Sequence, residues 1–194
     1  MYRLIFIQYP IHPPHYFNQF NVILFTMKSF ICLAILFIFT NSMLPPGFIT
    51  SQLSNQRVLS AYNLKKHNIQ ETLQLNKLDS NTFRILLVAY KSEQILELHG
   101  YDSKTSNYKK ISTYKICNSS GELGPKNEEG DLQVPEGFYF INKFNPLSKY
   151  HLSLGINYPN AADLLRTQAK NPGGEIYIHG DSVTIGCLPM TDDY

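Results

Sequence analysis

The sequence predicts a mainly β fold, a β-sandwich or barrel with a few short helices and an N-terminal helical lead-in. Short segments rich in β-forming residues follow one another closely after residue 81, whereas only two stretches have helical spacing. The length of 194 residues suits one domain plus an appendage. The strands that we expect cover residues 82–90, 94–101, 108–118, 137–144, 175–179 and 183–187.

The first two expected strands form a hairpin. Residues 82–90 read TFRILLVAY, and residues 91–93 supply a polar turn before the partner strand. Ahead of them, residues 51–81 are polar with apolar residues at helical spacing, which predicts the helical lead-in. A short helix is expected to begin after Asn160, whose side chain can cap the free N–H groups.

The N-terminal part has the pattern of an export signal. Residues 30–39 are ten apolar residues in a row, too few for the roughly 20 that a membrane-spanning helix needs. Lys28 precedes the run as a positive flank, and Met27 is a plausible start. We therefore expect residues 1–26 to be an extension without a role in the fold. Residues 27–50 are expected to be a signal peptide or, if uncleaved, a membrane tether, in a protein exported to the periplasm or cell envelope.

The charge distribution argues against nucleic acid as a partner. The chain has 17 Lys and Arg against 15 Asp and Glu, and Arg3 and Lys28 are its only charges before Arg57. The remainder is therefore neutral overall, and it lacks the basic footprint that neutralising phosphates requires.

Residues 119–137 (SSGELGPKNEEGDLQVPEG) hold four glycines, two prolines and five acidic residues in 19 positions, a composition that cannot pack as core. Two interpretations remain open, an exposed connection and a shaped loop that borders a site. The segment lacks the spacing of a phosphate-binding loop.

The segment IHGDSVTIGC, residues 178–187, contains the strongest candidates for chemistry. A nucleophilic thiol needs a base within hydrogen-bond reach, and His179 and Cys187 can form that pair. A turn through residues 181–182 would create an antiparallel hairpin with the two side chains facing each other. Gly186 leaves room for a carbonyl, and backbone N–H groups near Cys187 can stabilise an oxyanion.

From spacing alone, other interpretations stay open. The cysteine can be a buried thiol with an unrelated surface histidine, Ser182 can be the nucleophile, and a metal site from His151, His179 and Cys187 is a weaker option. Cys117 and Cys187 can also form a disulfide in an oxidising compartment.

At these residues the sequence resembles the L,D-transpeptidase catalytic domain family, also called YkuD-type, and within it the murein L,D-transpeptidase branch. The blocks that carry the resemblance are Tyr114-Lys115-Ile116-Cys117, Ser120-Gly121, Leu123-Gly124-Pro125-Lys126, Glu129-Gly130-Asp131, Pro135-Glu136-Gly137-Phe138-Tyr139, Tyr150-His151-Leu152-Ser153, Tyr158-Pro159-Asn160-Ala161, Ile178-His179-Gly180, Gly186-Cys187 and Met190-Thr191-Asp192.

The resemblance implies that residues 82–194 are a catalytic domain that acts on peptidoglycan stem peptides through a cysteine thioester. The thioester is resolved by an amine of a second stem, which gives a 3→3 cross-link, or by an amine of a cell-wall-attached protein. Hydrolysis of stem peptides and a catalytically inactive wall-binding remnant are the alternatives. No metal or other cofactor is implied.

The same resemblance assigns roles by position. Cys187 is the nucleophile and His179 the base, whose second ring nitrogen is held by a backbone carbonyl in the family. The supporting and oxyanion positions are Gly180, Thr184 and Gly186, the substrate-binding positions are His151 and Tyr158, and Cys117 is a structural thiol. Relatives continue past the Met-Thr-Asp segment, so the domain is expected to be shortened at its C-terminus, and Leu188-Pro189 is unusual directly after a nucleophile.

Overall fold

The computed structural model describes residues 47–79, 83–102 and 105–194, together with the backbone of residues 3–7. Its strands are β1 (Arg3–Ile7), β2 (Ile85–Tyr90), β3 (Ile95–Asp102), β4 (Asn107–Lys115), β5 (Phe138–Tyr139), β6 (Ile141–Asn145), β7 (Ser153–Ile156), β8 (Tyr177–His179) and β9 (Leu188–Pro189). Its helices are α1 (Phe48–Leu53), α2 (Gln56–Leu75) and α3 (Ala161–Arg166). The prediction of a mainly β fold with few helices is confirmed.

A first sheet has the strand order β4-β3-β2-β1-β5. β2 and β3 form the expected antiparallel hairpin, from Tyr90↔Ile95 at the turn to Ile85↔Gly100 at the open end. The antiparallel strand β4 follows with one register shift at Leu98. The central strand β2 (ILLVAY) is apolar on both faces, and its consecutive residues Leu87, Val88 and Ala89 are all buried.

The backbone of residues 3–7 pairs antiparallel with β2, from Arg3↔Tyr90 to Ile7↔Leu86, and parallel with β5. This pairing differs from the expectation that residues 1–26 have no role in the fold. The stretch RLIFI is rich in β-forming residues and satisfies the open N–H and C=O groups of β2. Residues 8–26, and the signal segment up to residue 46, lie outside the described residues.

A second sheet has the order β6-β7-β8-β9 and carries the candidate site. β7 is antiparallel to both β6 and β8, whereas β8 and β9 are parallel. The expected hairpin within residues 178–187 is therefore wrong, because parallel neighbours need a crossover rather than a tight turn. Residues 183–187, expected to be a strand, form that connection instead.

Two further differences concern short strands. The expected strand 137–144 is divided into β5 and β6 at Phe140, whose N–H donates to the Asn157 side chain at 2.7 Å. β7 was not expected, because its Gly155 and its four-residue length leave little β pattern to detect.

The helices agree with the sequence. The lead-in is formed by α1 and the 20-residue α2, and Asn55 caps α2 by accepting the Arg57 N–H at 3.0 Å. Asn160 caps α3 in a capping box, since its own N–H also donates to Asp163 at 2.9 Å. None of the helices in the described part of the chain combines the length and apolar character needed to cross a membrane.

The core lies between the two sheets. It is formed by buried apolar side chains from both, namely Leu87, Ala89, Leu96, Ile116, Val134, Tyr139, Ile156, Tyr158, Ile176, Ile178, Leu188 and Met190. Burial of this set is the main stabilising contribution to the fold and holds β8 and β9 in place.

Candidate active site

The His179 imidazole is buried and fixed in one orientation. It stands on β8 with an exposed fraction of 4%, and the Tyr150 ring covers it at a centroid distance of 4.8 Å. Its Nδ1 lies 2.5 Å from the carbonyl oxygen of Gly180. A carbonyl oxygen can only accept, so Nδ1 carries the proton and a neutral ring keeps its lone pair on Nε2. This ring is therefore prepared to take a proton at Nε2.

The backbone around His179 is held on both sides. Its carbonyl accepts the Met190 N–H at 2.8 Å, and the Gly180 N–H donates to the Leu152 carbonyl at 3.2 Å. A Cβ at Gly180 would come within 2.9 Å of the His151 Cβ and 3.0 Å of the Tyr150 carbonyl oxygen. Gly180 is thus required by the close approach of other chain segments at this position.

The Cys187 sulfur lies just before β9 and is half-buried. The Tyr177 N–H donates to the sulfur at 3.4 Å, and the sulfur lies 3.8 Å from the Glu175 carbonyl oxygen. Burial raises the pKa of the Cys187 thiol, and the Tyr177 N–H and the charge of Lys126 offset part of that rise. The thiol is therefore neutral at physiological pH.

The imidazole and the sulfur are carried by two neighbouring parts of the second sheet, His179 on β8 and Cys187 directly before β9. Ile178 and Leu188 are cross-strand partners that point into the core. Because side chains alternate along a strand, His179 lies on the opposite face, where its partner Pro189 is also buried. Cys187 precedes this pairing by one residue, and its sulfur contacts the backbone of Tyr177 and Glu175.

Within the described residues, no hydrogen bond joins the Cys187 sulfur to the His179 ring. By the strand register the two residues are offset by one pleat, about 7 Å along the strand direction. The two side chains therefore do not face each other across a hairpin, as we had expected. Their strands are neighbouring and parallel, and the thiol is turned toward β8.

Thr184 organises the connection that presents the thiol. Its hydroxyl donates to the Cys187 carbonyl at 2.8 Å and accepts the N–H groups of Cys187 at 2.9 Å and Gly186 at 3.3 Å. These are the backbone donors that we expected to stabilise an oxyanion, so an oxyanion at this position competes with the Thr184 hydroxyl for them.

Replacing Thr184 with valine, which has the same shape without the hydroxyl, should lower the free energy of unfolding by about 1 to 2 kcal/mol, since three hydrogen bonds are lost. Amide hydrogen exchange at Gly186 and Cys187 should become faster, whereas the Thr184→Ser variant should resemble the wild type. Unchanged stability and amide protection in Thr184→Val would show that other contacts hold this connection.

Gly186 is where the connection meets the long acidic loop. A Cβ at this position would lie 3.0 Å from the Gln133 carbonyl oxygen, and its φ of +126° suits only glycine. The loop of residues 119–137 therefore borders the candidate site, in agreement with the second of its two interpretations.

That loop is ordered by two buried lysines. Lys91 contacts the carbonyl oxygens of Gly124 at 2.8 Å and Val134 at 2.9 Å, and it pairs with Glu136 at 3.0 Å. Lys126 pairs with Asp131 at 2.6 Å. Each ammonium group has several acceptors, which offsets the cost of its burial.

The Asp131 carboxylate accepts several of the hydrogen bonds that order the loop. Besides Lys126, its carboxylate accepts the N–H groups of Asn127 at 2.8 Å, Glu128 at 3.0 Å and Gln133 at 3.0 Å. Burial alone would raise the pKa of Asp131, but the ammonium group and the three N–H groups outweigh it and hold the pKa at about 2.

The two residues expected to bind substrate, His151 and Tyr158, have different surroundings. His151 packs against Gly180, and its carbonyl accepts a hydrogen bond from Arg57 of α2 at 3.0 Å. Tyr158 lies in the core, where its hydroxyl contacts the carbonyl oxygens of Lys126 and Pro172. Burial raises the pKa of Tyr158 to about 12, and its role in substrate binding stays a prediction.

A polar rim beside the sulfur, formed by Lys143, Glu175 and Tyr177, was not expected from the sequence. The Tyr177 hydroxyl bonds the Glu175 carboxylate, and Lys143 lies 3.0 Å from the Tyr177 hydroxyl and 3.5 Å from Glu175. The alternation of Glu175, Tyr177 and His179 along one strand could have indicated part of this rim.

Cys117 and Ser182 have no hydrogen bond to the His179 ring within the described residues. Cys117 and Cys187 are free thiols, and Cys117 bonds the Pro189 carbonyl through its N–H at 3.0 Å and its sulfur at 3.2 Å. The Ser182 hydroxyl lies 3.4 Å from the Asp181 carboxylate. In the described ranges, His, Cys, Asp and Glu side chains form no group of three that could hold a metal ion.

Comparisons of the sequence and of the structure with known proteins each found similar proteins. Over 110 residues, 56% of the chain, the sequence is 39% identical to proteins named putative L,D-transpeptidase YafK from Escherichia coli K12 and O157:H7. The chain is similar to L,D-transpeptidase-like proteins. It spans 43% of the length of these relatives, and no family model matches it. The crystal structure of the helical cell shape determining protein Pgp2 from Campylobacter jejuni has a TM-score of 0.45 and 30% identity, covering 54% of this chain and 39% of that one.

Proposed function

We propose that this chain is an L,D-transpeptidase in which Cys187 forms a thioester with a peptidoglycan stem peptide and His179 is the base. The observation that carries the proposal is the fixed tautomer of His179, whose Nδ1 bonds the Gly180 carbonyl and leaves Nε2 as acceptor. The contact of the Cys187 sulfur with the N–H of Tyr177, two residues before His179 on β8, supports it.

The first chemical step begins from a neutral thiol. As the sulfur attacks a peptide carbonyl, its proton passes to His179 Nε2, and the imidazolium then gives that proton to the leaving amine. The thioester remains on Cys187 until a second amine attacks its carbonyl, gives a proton to the same imidazole and releases the thiol. Rotation of Cys187 away from Tyr177 brings the sulfur toward the imidazole, since catalytic hydrogen bonds are often loose without substrate.

The polar rim suits a substrate of this kind. Stem peptides carry free amine and carboxylate groups, and Lys143 and Glu175 offer exposed charges of both signs next to the sulfur. The long loop supplies a second, rigid border through the contact between Gln133 and Gly186.

The relatives agree with this proposal. The proteins that are 39% identical over 110 residues are named putative L,D-transpeptidases. An enzyme that joins stem peptides acts in the cell envelope, so we propose that location for this chain. The acceptor amine comes from a second stem or from a protein attached to the wall.

The test is mass spectrometry of the purified chain after incubation with a carbapenem, a β-lactam class that acylates L,D-transpeptidases. The wild type and Cys117→Ser should each gain one carbapenem mass, and Cys187→Ala should gain none. Cys117→Ser is a matched control because it removes a different thiol and keeps Cys187. An adduct that persists in Cys187→Ala, or none in the wild type, would refute the proposal.

Muropeptide analysis then separates the possible reactions. New 3→3 linked dimers after incubation with purified sacculi indicate transfer to an amine, which is the expected result. Shortened or released stems without dimers would identify a hydrolase of the same fold. Binding to sacculi without any product, unchanged by Cys187→Ala, would identify a non-catalytic wall-binding protein.

A further inference from the structure

The peptide group between Gly180 and Asp181 is hydrogen-bonded at both ends. Its carbonyl oxygen accepts His179 Nδ1 at 2.5 Å, and its N–H donates to the Asp192 carboxylate oxygen Oδ1 at 2.7 Å. One planar amide therefore connects the imidazole to a carboxylate. The order of groups is carboxylate, amide, imidazole, as in a catalytic triad with an amide inserted between acid and base.

We propose that Asp192 is a positioning residue, whose carboxylate orients and polarises the Gly180–Asp181 amide and through it acts on His179. The proposal rests on the proposed role of His179 as base. A charged acceptor on the N–H increases the negative character of the carbonyl oxygen, because linked hydrogen bonds polarise one another. A more negative carbonyl oxygen binds the imidazolium more strongly than the neutral ring, so it favours proton uptake at Nε2.

Backbone hydrogen bonds of the two preceding residues hold Asp192 next to the Gly180–Asp181 amide, independently of the Asp192 side chain. The Met190 N–H donates to the His179 carbonyl at 2.8 Å, and the Thr191 N–H donates to the Asp181 carbonyl at 3.0 Å. Gly180 leaves the space that the carboxylate occupies, since an added Cβ there would overlap Asp192 Oδ1. Substitutions of Asp192 should therefore change the interaction with the amide while the segment stays in place.

Other titratable and charged groups surround the same ring. The loop before β7 contributes Tyr150 and His151, α2 contributes Arg57 and Lys65, and Asp181 follows in the chain. The strand neighbours on β7 and β9 are Ser153 and Pro189, which carry no charge. None of these side chains has a hydrogen bond to His179 in the described part of the chain, so the amide is its direct link to a carboxylate.

The test is a ¹⁵N NMR titration of the histidine side chains in the full-length chain, with the His179 signals assigned from a His179→Gln variant. Asp192→Asn keeps an acceptor for the amide and removes the charge, whereas Asp192→Ala removes both. The pKa measured for His179 should fall in the order wild type, Asp192→Asn, Asp192→Ala. Carbapenem adduct formation should slow by about tenfold in Asp192→Asn and further in Asp192→Ala.

Asp193→Asn is the matched control, because it removes an equal charge one residue along the chain, and it should titrate like the wild type. The proposal is overturned if the His179 titration is the same in the wild type, Asp192→Asn and Asp192→Ala, even when adduct formation is lost. An absence of adduct in the wild type would instead refute the proposed enzymatic function, and the titration would still decide the role of Asp192.

Discussion

Replacement of His179 by glutamine should slow the formation of the carbapenem thioester at Cys187 by about 10² to 10⁴-fold, the usual contribution of a general base. Glutamine is close to histidine in size but takes up no proton at neutral pH, so the acceptor that Nε2 provides is lost. Because burial keeps the thiol protonated, a variant without a base has no acceptor for its proton. The rate of adduct formation measured by mass spectrometry at pH 7 checks this expectation.

Two comparisons make this result specific. His67→Gln changes an exposed histidine of α2 and should leave the rate unchanged. Alkylation of Cys187 by iodoacetamide at pH 10 should be similar in the wild type and in His179→Gln, because hydroxide removes the thiol proton there. Equal thioester rates in His179→Gln and the wild type at pH 7 would exclude His179 as the base.

Replacement of Asp131 by asparagine should lower the free energy of unfolding at pH 7 by about 2 kcal/mol, the value that corresponds to a pKa held at about 2 in place of 3.8. The lost interaction is chiefly the ion pair with Lys126 at 2.6 Å, which would leave a buried ammonium group without its carboxylate. Urea unfolding of the wild type and the variant at several pH values provides the measurement.

The pH dependence of the free energy of unfolding tests whether the ionised Asp131 carboxylate causes the difference between the two proteins. A carboxyl group whose pKa is lowered by folding stabilises the fold above its unfolded pKa, and this contribution is lost as the pH falls toward 2. The difference between the wild type and Asp131→Asn should therefore be constant from pH 7 to 5 and reduced to roughly half near pH 3. Glu128→Gln, an exposed change in the same loop, is the control and should have little effect. A difference independent of pH would contradict the assignment.

The elements with strong local signals were predicted from the sequence. The β2–β3 hairpin follows from two apolar strands around a polar turn, and α3 follows from the Asn160 cap. The lead-in follows from helical spacing and corresponds to α1 and α2. These features depend on neighbours within a few residues, which the sequence displays directly.

The candidate site was predicted in its residue types and less well in its geometry. His179 and Cys187 stand out in one ten-residue segment, but an eight-residue separation fits both a hairpin and a parallel crossover. Only the packing of Leu188 against Ile178 in the core selects the parallel arrangement. Tyr158 shows the same limit, since its position near family motifs gave no indication that it is buried.

The sequence by itself determined the mainly β class and the helical lead-in, and it singled out the two side chains for which we propose acyl transfer, because composition, periodicity and capping are local properties. The tertiary structure alone decided which amide holds His179, which hydroxyl occupies the N–H groups of Cys187 and which carboxylate reaches the Gly180–Asp181 peptide. The last of these contacts joins residues 11 positions apart across strands that the core brings together. Such a contact is set by the packing of the domain, and neither a period nor the spacing of its residues reveals it.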